Sequence, residues 1–179
     1  MSYCIAVSKL RRPFLSDRYF FITVRLLRRR VKMTDGDFAV LAQAFSRARA
    51  RHPLLLTAWV FLPDHWHAIC APRYPETISR VVKSVKQSST MAINRRRAAS
   101  GEVWQPRFFD RALRTVKEYN EKIEYLHLNP VRAGLVQRAQ EWPWSSVREY
   151  SGSLQEEATH HPILPIDRVL LPSDERKRI

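Results

Sequence analysis

Leu54-Leu55-Leu56-Thr57-Ala58-Trp59-Val60-Phe61-Leu62-Pro63-Asp64-His65-Trp66-His67-Ala68-Ile69-Cys70-Ala71 sets two apolar runs on either side of a Leu62-Pro63-Asp64 turn. The gap is short enough for an antiparallel hairpin, so the reading predicts strands over 54–61 and 65–71. Upstream, Tyr19 to Leu26 is rich in aromatic and β-branched residues and predicts a first strand, which Arg28-Arg29-Arg30 ends. Thr34 or Asp35 then suits an N-cap, and Phe38, Leu41, Ala42, Phe45 and Ala48 recur at helical spacing until His52-Pro53. Downstream, Thr77 to about Arg97 reads as a long helix with Ile78, Val81, Val82, Val85, Met91 and Ile93 on one side. Gly101 breaks it, and Val103 to Leu113 suits a further strand or hairpin arm. Glu118 to Leu128 predicts a last helix, ended by Pro130 because the residue before proline is pushed out of helical geometry.

The order strand, helix, strand, strand, helix, strand, helix fits an α+β ferredoxin-like plait, an antiparallel sheet with helices on one face. The second strand of the hairpin is then central and places His65 and His67 in the middle of the sheet. With no internal repeat, 179 residues suit one domain over 1–150. Residues 1–18 lead in as an arm, and 151–179 form a C-terminal tail expected to be extended or partly mobile.

Lys and Arg number 31 against 17 Asp and Glu, a net charge of +14 that exceeds what solubility asks of a small domain. A polyanion is the expected partner. No apolar run is long enough to span a bilayer and no basic amphipathic helix of membrane-surface type is present, so nucleic acid leads over a membrane. Cys4 and Cys70 have no CxxC spacing, and the N-terminus carries no secretory pattern, so two reduced thiols in the cytoplasm are expected. The spacings match no zinc finger.

Side chains at i and i+2 on a strand share one face, with Cα atoms roughly 6.5 to 7 Å apart, so the rings of His65 and His67 can converge on one cation while Trp66 faces the helix layer. Tyr125 and Asn129 stand four apart and share a helix face. Two imidazoles with a hard oxygen suit a divalent ion of the Mg or Mn type, or a borderline metal such as Zn, Co or Ni. Such an ion would clamp a phosphate, and Tyr125 could attack it, storing the diester energy as a phosphotyrosine ester. Tyr119 is a second candidate nucleophile; Tyr125 as a core aromatic and Asn129 as a helix-end residue are the plainer alternatives.

Arg80, Lys83, Lys86, Arg95, Arg96, Arg97 and Arg107 are candidate phosphate contacts, and Trp104, within an aromatic and arginine-rich run, is a candidate base-stacking residue. Trp142 and Trp144 are expected in the core. His127 reads as structural or phosphate-facing, His52 as a helix cap, and His160-His161 has no partner at ligand spacing.

Phe61 to Ile69 resembles the His-hydrophobic-His segment of single-tyrosine transposases. Tyr125-Leu126-His127-Leu128-Asn129-Pro130-Val131-Arg132-Ala133-Gly134-Leu135-Val136 and Trp142-Pro143-Trp144-Ser145-Ser146 resemble two signature segments of the REP-associated tyrosine transposases, and Val103 to Asp110 resembles a third. Together they cover most of residues 19–150 in family order. The resemblance implies a ferredoxin-like catalytic domain, Mg²⁺ or Mn²⁺ held by His65, His67 and Asn129, and Tyr125 as nucleophile. It also implies single-stranded DNA as substrate, cut beside a REP-type hairpin with the enzyme left on the 5′ phosphate. No small-molecule cofactor is implied, and the branch implies a monomer rather than a dimer in a bacterial, nucleoid-associated setting. Asn129 departs from the glutamine that wider insertion-sequence relatives often carry, and its shorter arm would draw the metal toward the helix. The alternative is a catalytically inactive, sequence-specific DNA-binding regulator of the same fold; a base-stacking RNA-binding plait is disfavoured, because the strand face offers histidines in place of aromatics.

Overall fold

The computed structural model describes residues 18–150, 163–173 and 177–179. Almost all of the N-terminal arm, Cys4, and the tail residues 151–162 with His160-His161 lie outside the described residues.

Four strands, β1 (Phe20–Arg25), β2 (Leu54–Leu62), β3 (His65–Pro72) and β4 (Phe109–Ala112), form an antiparallel sheet in the order β2-β3-β1-β4. The hairpin sits where the sequence puts it, and β3 is an inner strand. Three helices, α1 (Asp35–Arg51), α2 (Ile78–Arg96) and α3 (Val116–Arg132), complete the plait. Thr34 caps α1 through a capping box with Asp37, and Thr77 and Thr115 accept backbone N–H bonds at the starts of α2 and α3.

Strand alternation divides the apolar residues between two cores. Ile22 and Val24 of β1, Trp59 and Phe61 of β2, and Trp66 and Ala68 of β3 face α1 and α2. Phe21, Val60, Leu62 and Ile69 face the other way, against Tyr119 and Leu126 of α3. The expectation of helices on one face is therefore corrected: α3 lies on the opposite face from α1 and α2, because its own apolar stripe needs the second side of the sheet. A register shift in β2 between Leu56 and Ala58 lets Leu56 and Trp59 share the α1/α2 side although their spacing is odd.

Two boundaries also differ. The strand expected over Val103 to Leu113 shrinks to Phe109–Ala112, with Trp104 meeting Leu26 in an isolated bridge, since Pro106 has no N–H to give a ladder. α3 runs through Pro130 to Arg132 rather than stopping before it. Proline removes one donor, but the next turn still closes through Ala133 N–H to Asn129 O and Leu135 N–H to Pro130 O, and Gly134 ends it at φ 66°.

The described part of the tail has no regular secondary structure and is docked. Leu164 is fully buried and its carbonyl accepts the Trp59 indole N–H at 2.8 Å. Asp167 accepts the Leu56 N–H at 2.7 Å and pairs with Arg49 at 2.9 Å, while Arg178 bridges Thr115. Among the described residues no helix is long and apolar enough to cross a membrane.

Candidate active site

Because α3 occupies the face toward which odd-numbered residues of β3 point, the sheet delivers His65 and His67 to the same side as Tyr125. The two imidazoles meet edge to face at 4.7 Å between centroids, and the Tyr125 ring stands 5.8 Å from His67. Phe21 stacks on His67 at 5.1 Å and meets the edge of Tyr125 at 5.8 Å, so one buried phenyl ring fixes both.

Each imidazole is held through its Nδ1. That of His65 lies 2.7 Å from Asp64 Oδ1, and that of His67 lies 2.8 Å from Thr23 Oγ1. Both Nε2 atoms are thereby left for something else, and His67 Nε2 is buried with no hydrogen-bond partner. A polar atom left so is costly unless a ligand completes it. Burial, reinforced by the charge of His65, pushes the His67 pKa from 6.5 down to about 3, which keeps the ring neutral. Burial pulls the Asp64 carboxyl upward, but the hydrogen bond and charge of His65 outweigh it and hold the carboxyl below its ordinary range.

These features fit a divalent cation: a neutral His67 ring, an Nε2 on each imidazole without a protein partner, and a carboxylate or hydroxyl oxygen behind each ring, the usual support for metal-binding histidines. Among the described residues no three His, Cys, Asp or Glu side chains cluster as a cage, so a third donor drawn from those residues would be of another kind. Asn129 stands one turn beyond Tyr125, and its amide nitrogen donates to the Tyr125 carbonyl at 3.3 Å, leaving its oxygen as the donor end.

The two candidate tyrosines are separated by burial. Tyr119 is 3 % exposed and edge-on to Tyr19 at 5.1 Å, and burial raises its pKa, whereas Tyr125 is 37 % exposed at the edge of the site. Lys122 Nζ lies 5.1 Å and Arg132 Cζ 5.0 Å from the Tyr125 ring centroid, and Arg25 pairs in register with His65. Sequence reasoning missed Thr23, Phe21, Lys122, Arg132 and Arg25. Lys122 and Arg132 are three and seven residues from Tyr125, a helical signal; the β1 residues become visible only once strand register is known.

The expected DNA-contacting residues fare differently. All those on α2 lie across the sheet from the imidazoles. Arg97 is a structural residue: its guanidinium binds the fully buried Asp37 carboxylate and the Val31 and Lys32 carbonyls, and Arg96 reaches the same carboxylate at 3.4 Å. Lys86 donates to the Gln105 and Pro106 carbonyls, and Arg80 pairs with Glu76 at 3.6 Å. Trp104 is 2 % exposed and donates its indole N–H to Ser89, so it is core and offers no face to a base. Lys83, Arg95 and Arg107 are exposed. His127 is buried against Ser146 and Tyr150, and burial pushes its pKa down to about 4. Trp142 and Trp144 pack on Phe38, and His52 is the C-cap of α1.

Comparison with known proteins places this plait, with its His-x-His pair on an inner strand beside a helix-borne tyrosine, among the transposases. Residues 8–127 match the family model described as "Transposase IS200 like", and the chain belongs to that family. It is 30% identical over 141 residues to a REP-associated tyrosine transposase of Escherichia coli K12, covering 78% of this chain and 82% of that one. A Haemophilus influenzae relative is 25% identical over 150 residues, covering 78% and 85%. A solved REP-associated tyrosine transposase bound to a REP hairpin superposes with a TM-score of 0.72 at 29% identity, covering 96% of this chain and 98% of that one.

Proposed function

We propose that residues 1–150 form a catalytic domain that cleaves single-stranded DNA beside a REP-type hairpin and rejoins it, with Tyr125 as nucleophile and His65, His67 and Asn129 as ligands of Mg²⁺ or Mn²⁺. The observation that carries the reading is the buried, unpartnered Nε2 of His67 beside the exposed Tyr125 ring. Bound there, the cation supplies charge that polarises the scissile phosphate.

Tyr125 Oη forms a bond to the phosphorus as the bond to the 3′ oxygen breaks. The phenol loses its proton, the departing strand end takes one up as a 3′ hydroxyl, and the 5′ phosphate stays on Tyr125. Reversal by another 3′ hydroxyl restores a diester and the phenol, so strand exchange needs no external energy source. Lys122 and Arg132 flank the Tyr125 ring and offer positive charge to the phosphate. Phe21 and Thr23 hold His67, and Asp64 holds His65, so the site is rigid before DNA arrives. The hairpin-bound relative and the +14 charge support the DNA assignment.

The test is a labelled hairpin oligonucleotide with a single-stranded flank, incubated with Mn²⁺ or Mg²⁺. Wild type gives a covalent adduct, Tyr125→Phe gives none, and chelation abolishes the adduct while binding persists. An adduct retained by Tyr125→Phe and lost by Tyr119→Phe overturns the assignment. Binding without any adduct in wild type favours a DNA-binding regulator.

A further inference from the structure

α3 packs over β2, β3 and Phe21 of β1, and the β4 edge of the site face is left exposed. On that exposed edge stands Phe109, 57 % exposed on a four-residue strand. Its placement follows from register: Phe109 pairs with Thr23, and Thr23 pairs with His67, whose Nδ1 its hydroxyl engages at 2.8 Å. Paired residues of an antiparallel sheet share a face, so Phe109 belongs to the same surface as His67. It stands two strands, about 10 Å, away. Phe108, the adjacent residue, packs into the α1/α2 core instead, which leaves Phe109 as the aromatic that the alternation turns outward.

The surroundings identify what would lie on it. Arg111, two residues along β4 on the same face, is exposed and pairs with Glu118. Arg25 lies one face-position further along β1 beside Thr23, and Lys122 and Arg132 border Tyr125. An exposed apolar ring among cations, on the same sheet face as His67, matches a nucleotide: the base has a π-face for the ring and the backbone has charge for the arginines.

We propose that Phe109 is the stacking platform for an unpaired base of the DNA strand next to the phosphate at Tyr125. The inference rests on the single-strand reading of the site above. It separates recognition from chemistry: the face under α3 carries the reacting groups, and the exposed β4 edge grips the strand.

The experiment reads binding without cleavage. Tyr125→Phe protein is titrated into the hairpin oligonucleotide with a fluorescent adenine analogue, quenched by stacking, placed in turn at each single-stranded position. One flanking position should quench on binding. Adding Phe109→Leu, which keeps apolar volume and loses the π-face, should abolish that quench and weaken binding about 5- to 150-fold, whereas Phe109→Tyr should retain both. An abasic site at that position should weaken Phe109-containing protein and leave the Phe109→Leu protein unaffected. Unchanged quenching and affinity in Phe109→Leu, or absence of single-strand binding, overturns the proposal. Adduct formation by otherwise wild-type protein carrying Phe109→Leu, at a raised KM and little-changed kcat, is the matching kinetic result; a fall in kcat alone counts against it. Failure of wild type to form any adduct would instead strike the Tyr125 reading.

Discussion

Thr23→Val tests whether the sheet prepares His67 as a metal ligand. For Nε2 to present a lone pair, Nδ1 must carry the proton, and Thr23 Oγ1 at 2.8 Å is placed to receive it. Valine keeps the branched shape and removes the oxygen. Groups behind a metal-binding histidine typically change affinity 10- to 100-fold when lost. Here the backbone of Ile22 also hydrogen-bonds the ring, so the loss is one bond of about 1 kcal/mol and not a wholly unpaired Nδ1. That loss sets the size: the Mn²⁺ concentration for half-maximal adduct formation should rise about 5-fold, with the rate at saturating metal little changed. Thr23→Ser should restore the wild-type value. A Thr23→Val protein that folds normally and needs no more metal than wild type refutes the argument that Thr23 fixes the tautomer.

Asp37→Asn should lower stability by about 3 kcal/mol, read as a fall in the urea midpoint, because it leaves the Arg97 guanidinium beside a neutral partner; the partial exposure of both arginines keeps the cost at the low end for a broken buried pair. His127 is held neutral by burial, with its folded pKa near 4 against 6.5 unfolded, so the unfolded chain binds more protons between those values. Its stabilisation is fully present above pH 6.5 and is lost as pH falls toward 4, about 3 kcal/mol in all, and His127→Gln should flatten the stability profile by that amount relative to wild type. A wild-type profile no steeper than that of the variant contradicts it. Lys122→Ala should slow adduct formation about 10-fold at saturating DNA while leaving the urea midpoint within about 0.5 kcal/mol, the range of surface substitutions; equal rates would remove Lys122 from the site.

The hairpin and its two histidines were legible because each signal is local: alternation in β3, a short turn at Pro63-Asp64, and helical spacing of Tyr125 and Asn129. What stayed illegible depends on which elements meet. Nothing in residues 116–132 says which side of the sheet they cover, and that choice decides whether Tyr125 reaches His67 at all. The arginine cluster of α2 shows the same limit. Arg95, Arg96 and Arg97 look alike in sequence, yet Arg97 is consumed by Asp37 from α1, sixty residues away, and Arg95 is exposed. Trp104 looked like a base-stacking residue by composition and is core, while the open aromatic is Phe109, because only strand register tells which of several neighbouring rings faces outward.

That dependence on register makes the Leu62-Pro63-Asp64-His65 turn a chemical constraint as well as a structural one. Side-chain direction reverses with every residue along β3, so a slip of one position would send both imidazoles into the α1/α2 core and bring Trp66 to the site. The slip is resisted from three sides: Trp66, fully buried, packs edge-on against Phe45 at 5.0 Å; Thr23 holds His67; and the Met33 N–H binds the Pro63 carbonyl at 2.7 Å. The indole between the two histidines is therefore the anchor that keeps them aimed at Tyr125, and the hydrophobic residue of the His-x-His pattern has its physical reason in the core on the far side of the sheet.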